Sequence, residues 1–416
     1  MNDSPYAPLR RPAVRDLLLG RGLSVLGVAM LNVAVGWKIY AMTGDPLDLG
    51  LVGLVQFLPH LALFPVAGIA VDRLDRTRVL SACYAGYFLS ALALAWLSAR
   101  GVSSPGPLYA VLAFSAISRV FRGPAGSAML PALTPVDEFA RAASWSSSVF
   151  TAATVAGPAL GGGVYALAEH AGHSGAVATF GASAALLAVA WALTLRMPPT
   201  RATHRGEPPG FGEALDGVRY ILSRPLLLGA ITLDLFAVLF GGAVALLPIF
   251  AADILHTGPV GLGLLRAAPA VGALLTALAL AHRPIRHHTG LVLLGAVGLF
   301  GAATLGFALS TSFWLSLAML AITGAADEVS VFIRVQIVQL ATPDALRGRV
   351  GAAEFVFIGA SNELGELESG LTASWWGAVP AVAFGGAASL AVVALFLALF
   401  PTLRSLDRIE VLKEEG

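Results

Sequence analysis

The second half of the chain carries carboxylates inside apolar stretches. Asp234 lies in the run 225–254, Asp327 and Glu328 in 312–341, and Glu363, Glu366 and Glu368 in 349–377, with Asn362 beside them. A charge in a bilayer interior costs roughly 2.5 kcal/mol or more, so such residues face a cavity or a partner. Glu363 and Glu366, three apart, share a helix face. Two carboxylates that close in a low dielectric do not both stay ionised, and an acid held that way exchanges protons. Arg334 follows Asp327 by seven residues on the same face, and Arg266 offers another cation. The competing reading is structural: Asp327 paired with Arg334, and a glutamate with Arg266. The ion pair is preferred for Asp327 and Arg334. Proton exchange is preferred for Glu363 and Glu366, which outnumber the nearby cations. Glu354, near the inner helix end, reads as interfacial.

The first half offers cations. Arg119 and Arg122 stand one turn apart in the run 107–131 and must face the bundle interior or its inner vestibule. Pairing with nearby acids for packing is the alternative to a transport role. Ala153, Gly157 and Gly161 recur every four residues and make one smooth helix face, with Pro158 bending the helix. The expectation is close packing of this helix against the other bundle; packing within its own bundle is the alternative. His60 and Asn32 read as polar packing residues. There is no phosphate loop and no His-x-x-x-His zinc spacing, and His287-His288 is an isolated loop pair. No cofactor, no metal and no enzymatic activity are expected.

These residues need helices across a membrane to position them. The 416 residues are 57% hydrophobic and 12% charged, with 46 glycines and 24 prolines. Soluble domains are about 25% charged, so this is the composition of an all-α membrane protein. A net charge of +1 gives no basic excess for nucleic acid, and the single cysteine, Cys83, excludes an intrachain disulfide. A spanning helix needs roughly 20 apolar residues. Such windows fall near 17–42, 48–71, 79–99, 107–131, 139–168 and 174–196, then 225–254, 258–282, 289–309, 312–341, 349–377 and 380–401. The first is too long for a signal segment. Arginines concentrate in the tails and in alternate loops (Arg73, Arg76, Arg78; Arg141; Arg196; Arg283, Arg286; Arg347), which puts both termini in the cytoplasm. Trp37, Tyr40, Trp314, Trp375 and Trp376 fall at the opposite rim. Residues 197–217 are a polar linker between domains 1–196 and 218–416. Phe211, Leu215, Val218 and Leu222 have helical spacing, so this stretch either lies on the inner membrane surface as a short helix or extends the seventh span.

The chain repeats itself. Gly53-Leu-Val-Gln-Phe-Leu-Pro59 matches Gly263-Leu-Leu-Arg-Ala-Ala-Pro269 at an offset of 210. Thr134-Pro135, Arg141 and Gly157 match Thr342-Pro343, Arg349 and Gly365 at 208. The expectation is twelve transmembrane helices in two six-helix bundles related by a parallel repeat, around a central cavity.

The polar knot Gly68-x-x-x-Asp72-Arg73-x-x-Arg76-x-Arg78 resembles the signature loop of the major facilitator superfamily. Arg119-Val-Phe-Arg-Gly123 resembles its fourth-helix motif, and Gly157-Pro158-Ala-Leu-Gly161-Gly162 its antiporter-associated fifth-helix motif; in style the chain is similar to the drug- and siderophore-exporting branch. The second half departs from the signature, with His282 where the loop aspartate belongs. The resemblance implies that Asp72 latches the bundles and that Arg119 couples to protons; a plain topology loop is the alternative for Asp72. It further implies a secondary transporter of the inner (cytoplasmic) membrane that exports small amphipathic compounds against protons by alternating access. The expected partners are a small-molecule substrate, protons and the lipid bilayer, with the monomer as the functional unit. A facilitator or importer on the same fold is the first alternative, and a non-transporting membrane receptor the second.

Overall fold

The structure is a computed structural model that describes residue 4 and residues 6–200 and 211–409; the side chains of 64–69, 72, 211–215, 345, 352 and 355 are outside that description. Fifteen α-helices account for nearly all of the described residues. They are α1 (Pro12–Thr43), α2 (Pro46–Arg73), α3 (Arg76–Ala99), α4 (Gly106–Leu133), α5 (Val136–His170), α6 (Gly175–Leu195), α7 (Phe211–Ser223), α8 (Pro225–Phe240), α9 (Ala243–Ile249), α10 (Gly258–His282), α11 (Thr289–Ala308), α12 (Phe313–Ala341), α13 (Asp344–Trp376), α14 (Ala378–Leu399) and the short α15 (Pro401–Arg404). Among the described residues, ten stretches are long and apolar enough to cross a membrane, Pro225–Ile254 counting as one. The two other helices of spanning length, α4 and α13, hold Arg119 and Arg122 in one case and four glutamates in the other. This is the all-α architecture of twelve spans in two bundles.

The connections are tight and locally encoded. Gly44, with φ +64°, ends α1 in the left-handed conformation that glycine adopts without penalty. Asp75 caps α3: its carboxylate accepts from the backbone N–H of Thr77 (2.9 Å) and Arg78 (3.3 Å). The repeat is visible in the backbone. Thr134 after α4 and Thr342 after α12 are both extended (φ −117° and −111°), and each is followed by a proline that starts the next helix.

Contacts divide the chain into two compact units. The first comprises Met1–Gly44, Val55–Pro208 and Thr257–Ala267; the second comprises Asp45–Leu54, Pro209–His256 and Ala268–Gly416. Thus α2 and α10 each supply a part to both units. Residues 201–210 of the expected linker lie outside the described residues.

One expectation is corrected and two others gain detail. The seventh span is not one continuous helix: α8 stops at Phe240, and the chain resumes after Gly241-Gly242 as α9, ending in a π-helical turn, Phe250–Ile254. The reason is close approach, since a Cβ at Gly242 would lie 2.5 Å from the Gly365 carbonyl oxygen of α13. The stretch after the linker is a helix of its own, broken from α8 at the extended Arg224. Among its described side chains, Ile221 is buried in the second unit's core, Val218 packs against that core, and the Tyr220 hydroxyl donates to the Ala341 carbonyl (2.9 Å), while Leu222 is exposed. The fifth-helix motif packs on two sides: Pro158 and Gly162 lie against Gly263 and Pro259 of α10, a helix of the second half, as expected, while Gly157 and Gly161 face α1 of their own half. A Cβ at Gly157 would be 2.5 Å from that of Ala29, and one at Gly161 would be 3.0 Å from the Met30 carbonyl oxygen, both on α1.

The C-terminal segment closes over the loop before α11. The Asp407 carboxylate accepts from the His288 backbone N–H (2.7 Å) and meets His287 Nδ1 (3.4 Å), and the Asp407 carbonyl accepts from Thr289. The His288 N–H bond, reinforced by His287, holds the Asp407 carboxyl below the usual carboxylate range.

Candidate functional site

The second unit places one arginine among acids from three helices. Arg334 on α12 is 3% exposed; its guanidinium bonds Asp234 on α8, and its Nε lies 3.5 Å from Glu354 on α13. The preferred pairing of Arg334 with Asp327 is therefore corrected. Seven residues put the two on one side of α12, but the charge-assisted contacts of Arg334 go to neighbouring helices, where a planar guanidinium can serve two carboxylates. Glu354 is corrected as well: it is buried and paired, not interfacial. Nothing in its local sequence marks it, because its partner is 20 residues away on another helix.

Asp327 lies two turns before Arg334 and borders two cavities. The larger, of about 230 Å³, is lined by Asp327, Asn362, Glu366, Thr304 and Thr323, with Phe300, Phe307 and the Gly241-Gly242 break completing its wall. The smaller, of about 10 Å³, lies between Asp327, Ser330 and Asp234. The two glutamates expected to act together part here. Glu366 lines the large cavity with Asn362, whereas Glu363 is buried at 3% exposure outside its lining. Asp234, Asp327, Arg334 and Glu366 are thus brought to one region of one unit. Glu328, beside Asp327 in sequence, is outside both linings. Among the described residues, no group of three or more His, Cys, Asp or Glu could hold a metal ion.

The first unit treats its cations differently. Arg122 lies over the ring of Tyr87, 5.6 Å from its centroid. Arg21 on α1, unmarked by sequence reasoning except as a basic terminus, lies 5.2 Å from the centroid of Phe150 and donates to Ser146 Oγ at 2.7 Å. Among the described residues no carboxylate pairs with Arg21 or Arg122, and each positive charge rests on an aromatic face. Arg119 is exposed, and Arg266 on α10 belongs to this unit. Among the described residues the buried acid of this unit is Asp16, 3.8 Å from Arg15 and 3.9 Å from Arg196 at one end of α1.

Of the signature-loop residues, Arg73 and Arg78 are exposed and Arg76 reaches the Ala128 carbonyl (3.4 Å). The Gly68 and Asp72 side positions lie outside the described residues, so the latch expectation falls there. Arg349, the repeat counterpart of Arg141, pairs with Asp216 of α7 (3.4 Å). His282 is exposed and bonds back to the Leu278 carbonyl of its own helix.

Comparison with known proteins agrees with this architecture. Residues 3–414 match the family described as transmembrane secretion effector. The chain is 27% identical over 350 residues to the enterobactin exporter of Citrobacter koseri, covering 82% of this chain and 80% of that one. It is 24% identical over 273 residues to macrolide efflux protein A of Streptococcus pyogenes; that alignment covers 63% of this chain and 64% of the relative's length. In fold it resembles a bacterial homologue of the human lysosomal transporter Spinster, with TM-score 0.71, 16% identity and 96% of each chain covered. A bacterial homologue of the iron transporter ferroportin gives 0.68 at 17% identity, over 95% of this chain and 99% of that one. A chain of twelve helical spans whose whole length matches this family is a multi-pass membrane protein and belongs to the transmembrane secretion effector family of the major facilitator superfamily.

Proposed function

We propose that the protein is a secondary active transporter that exports small amphipathic organic compounds in exchange for protons, by alternating access. The observation that carries this reading is the acid cluster of the second unit. Two carboxyls, Asp234 and Glu354, hold one guanidinium, and a third, Asp327, stands across a small cavity from Asp234 and opens onto a larger one that Glu366 also lines. A buried set with more carboxylates than cations takes up a proton more readily than a balanced one, and its charge then depends on which side it faces. A proton entering through about 100 mV contributes about 2.3 kcal/mol before any pH gradient. The largely apolar cavity, with polar atoms from Asp327, Glu366, Asn362, Thr304 and Thr323, suits an amphipathic ligand. The enterobactin and macrolide exporters among its relatives support export as the direction and organic molecules as the class. In this reading both termini lie in the cytoplasm, the monomer is the working unit, and Arg119, Arg122 and Arg266 serve the transport path of the first unit.

The test uses everted membrane vesicles with labelled erythromycin and a labelled catecholate siderophore as probes. Uptake that builds with an acid interior and collapses with a protonophore is expected for at least one of them. Equilibration indifferent to the gradient selects a facilitator. Accumulation in right-side-out vesicles selects an importer.

A further inference from the structure

The small cavity joins two acids that do not bond each other. Asp327 forms one wall and Asp234 another; Ser330, one turn beyond Asp327 on α12, forms a third. Ser330 is 2% exposed, and its hydroxyl faces the Asp234 carboxylate but falls short of good hydrogen-bond geometry. Such a hydroxyl is costly to bury unless a water satisfies it. The volume, about 10 Å³, is room for one water, and the walls offer the two to four polar partners that a buried water needs. The remaining walls, Ala237, Val238, Val297, Phe300 and Ala326, cannot titrate. The charged and titratable groups around the site are therefore Asp234 from α8, Asp327, Glu328 and Arg334 from α12, and Glu354 from α13, with none from α11.

We propose that this cavity is an internal water site through which a proton passes between Asp327 and Asp234, and that its arrival moves Arg334 from Asp234 to Glu354. The inference rests on the proton-coupled reading above and names its internal path. Asp327 gives its carboxyl proton to the water oxygen as the water gives one of its own protons to Asp234. The water is regenerated, Asp327 becomes a carboxylate and Asp234 a neutral acid. Ser330 orients the water as a hydrogen-bond partner and stays intact. Asp234 then no longer attracts the guanidinium, and Glu354, at 3.5 Å, is the ionised carboxylate already within ion-pair distance of Arg334. The link from α12 thereby passes from α8 to α13, which turns a proton into a preference between two helix arrangements. Ser330 is a positioning residue in this scheme.

Infrared difference spectroscopy on the purified full-length protein in lipid nanodiscs tests it without a transported substrate. Spectra between alkaline and acid pH are recorded in ordinary water and in water labelled with oxygen-18. Carboxyl bands are assigned through Asp234→Asn and Asp327→Asn. The expected result is a water O–H band that moves with the isotope, changes with pH, and is lost in Ser330→Val and Ala326→Val, both of which fill the cavity. Ser330→Ala, which leaves the space open, keeps a water band at a shifted frequency. In the filled variants Asp327 still titrates while the Asp234 band no longer responds. If both carboxyls titrate in the parent but no isotope-sensitive band accompanies them, or if the band survives both fillings, the water path is wrong and proton coupling stands. If neither carboxyl changes protonation at any pH, the path and the proton-coupled reading fall together.

Discussion

The two units differ in charge at equivalent places. The offset of 208 that aligns Thr134-Pro135 with Thr342-Pro343 aligns Arg119 with Asp327, and Arg122 with Ser330. The scaffold is shared down to the extended threonine and the proline that starts the next helix. The charged groups are not. In the first unit Arg21 and Arg122 are held by ring faces and a hydroxyl; in the second, Arg334 is held by two carboxylates with a third acid close by. A cation over a ring can shift with little change in the charge around it. A guanidinium between carboxylates cannot, because its neighbours' charge depends on protons. The duplication kept what folds the helices and specialised what lies between them.

The strongest test of that contrast is to remove one cation from each unit. Arg334→Leu strands Asp234 and Glu354 and should cost about 3–5 kcal/mol, the scale for breaking a buried ion pair from one side. Arg122→Leu forfeits a ring contact of about 0.5–2 kcal/mol. Thermal unfolding of the purified variants should show the first far less stable than the second; equal losses would erase the distinction.

A packing change tests whether the shared scaffold is as tight as it looks. Gly161→Val puts side-chain atoms against the Met30 backbone, where a Cβ alone would already be 2.8 Å from Cα, and should destabilise by about 1–3 kcal/mol. Gly163→Val, with nothing within 4 Å of a Cβ, should be near neutral. The same unfolding assay reads both.

Asp327→Asn keeps size and removes charge from the acid that takes the place of Arg119. Proton-driven uptake into everted vesicles should fall on the order of tenfold or more, the scale of about 1.4 kcal/mol, while exchange of substrate across the membrane without a gradient persists. Equal loss of both would assign Asp327 to substrate binding.

The smallest effect concerns the tail. The folded Asp407 carboxyl is held below its ordinary range, so its contribution is complete above that range and fades as pH falls through the folded value. Asp407→Asn should therefore lower stability slightly at neutral pH and not in acid. A variant that loses as much at low pH as at neutral pH would show that the charge is irrelevant there.

The spans were legible because each is a local property. A run of apolar residues long enough to cross a bilayer carries its own signal, and the expected 258–282 coincides with α10 (Gly258–His282). The Gly241-Gly242 break was present as a pair of glycines yet hidden inside a run whose hydropathy never falters; close approach to Gly365 is what requires it. The acids, too, stood out from their surroundings in the sequence. Their partners did not. Helical spacing ties Asp327 to Arg334 within one helix, but Arg334 reaches Asp234, 100 residues away, and Glu354 on a third helix. Spacing likewise joined Glu363 to Glu366, while the packed helix turns one of them toward the cavity and the other into protein. Hydrophobicity and period act along the chain, so the sequence alone determined the spans and which residues would be costly to bury. Which charge meets which depends on helix rotation and neighbour choice, and those are decided by side-chain packing between segments far apart in the chain.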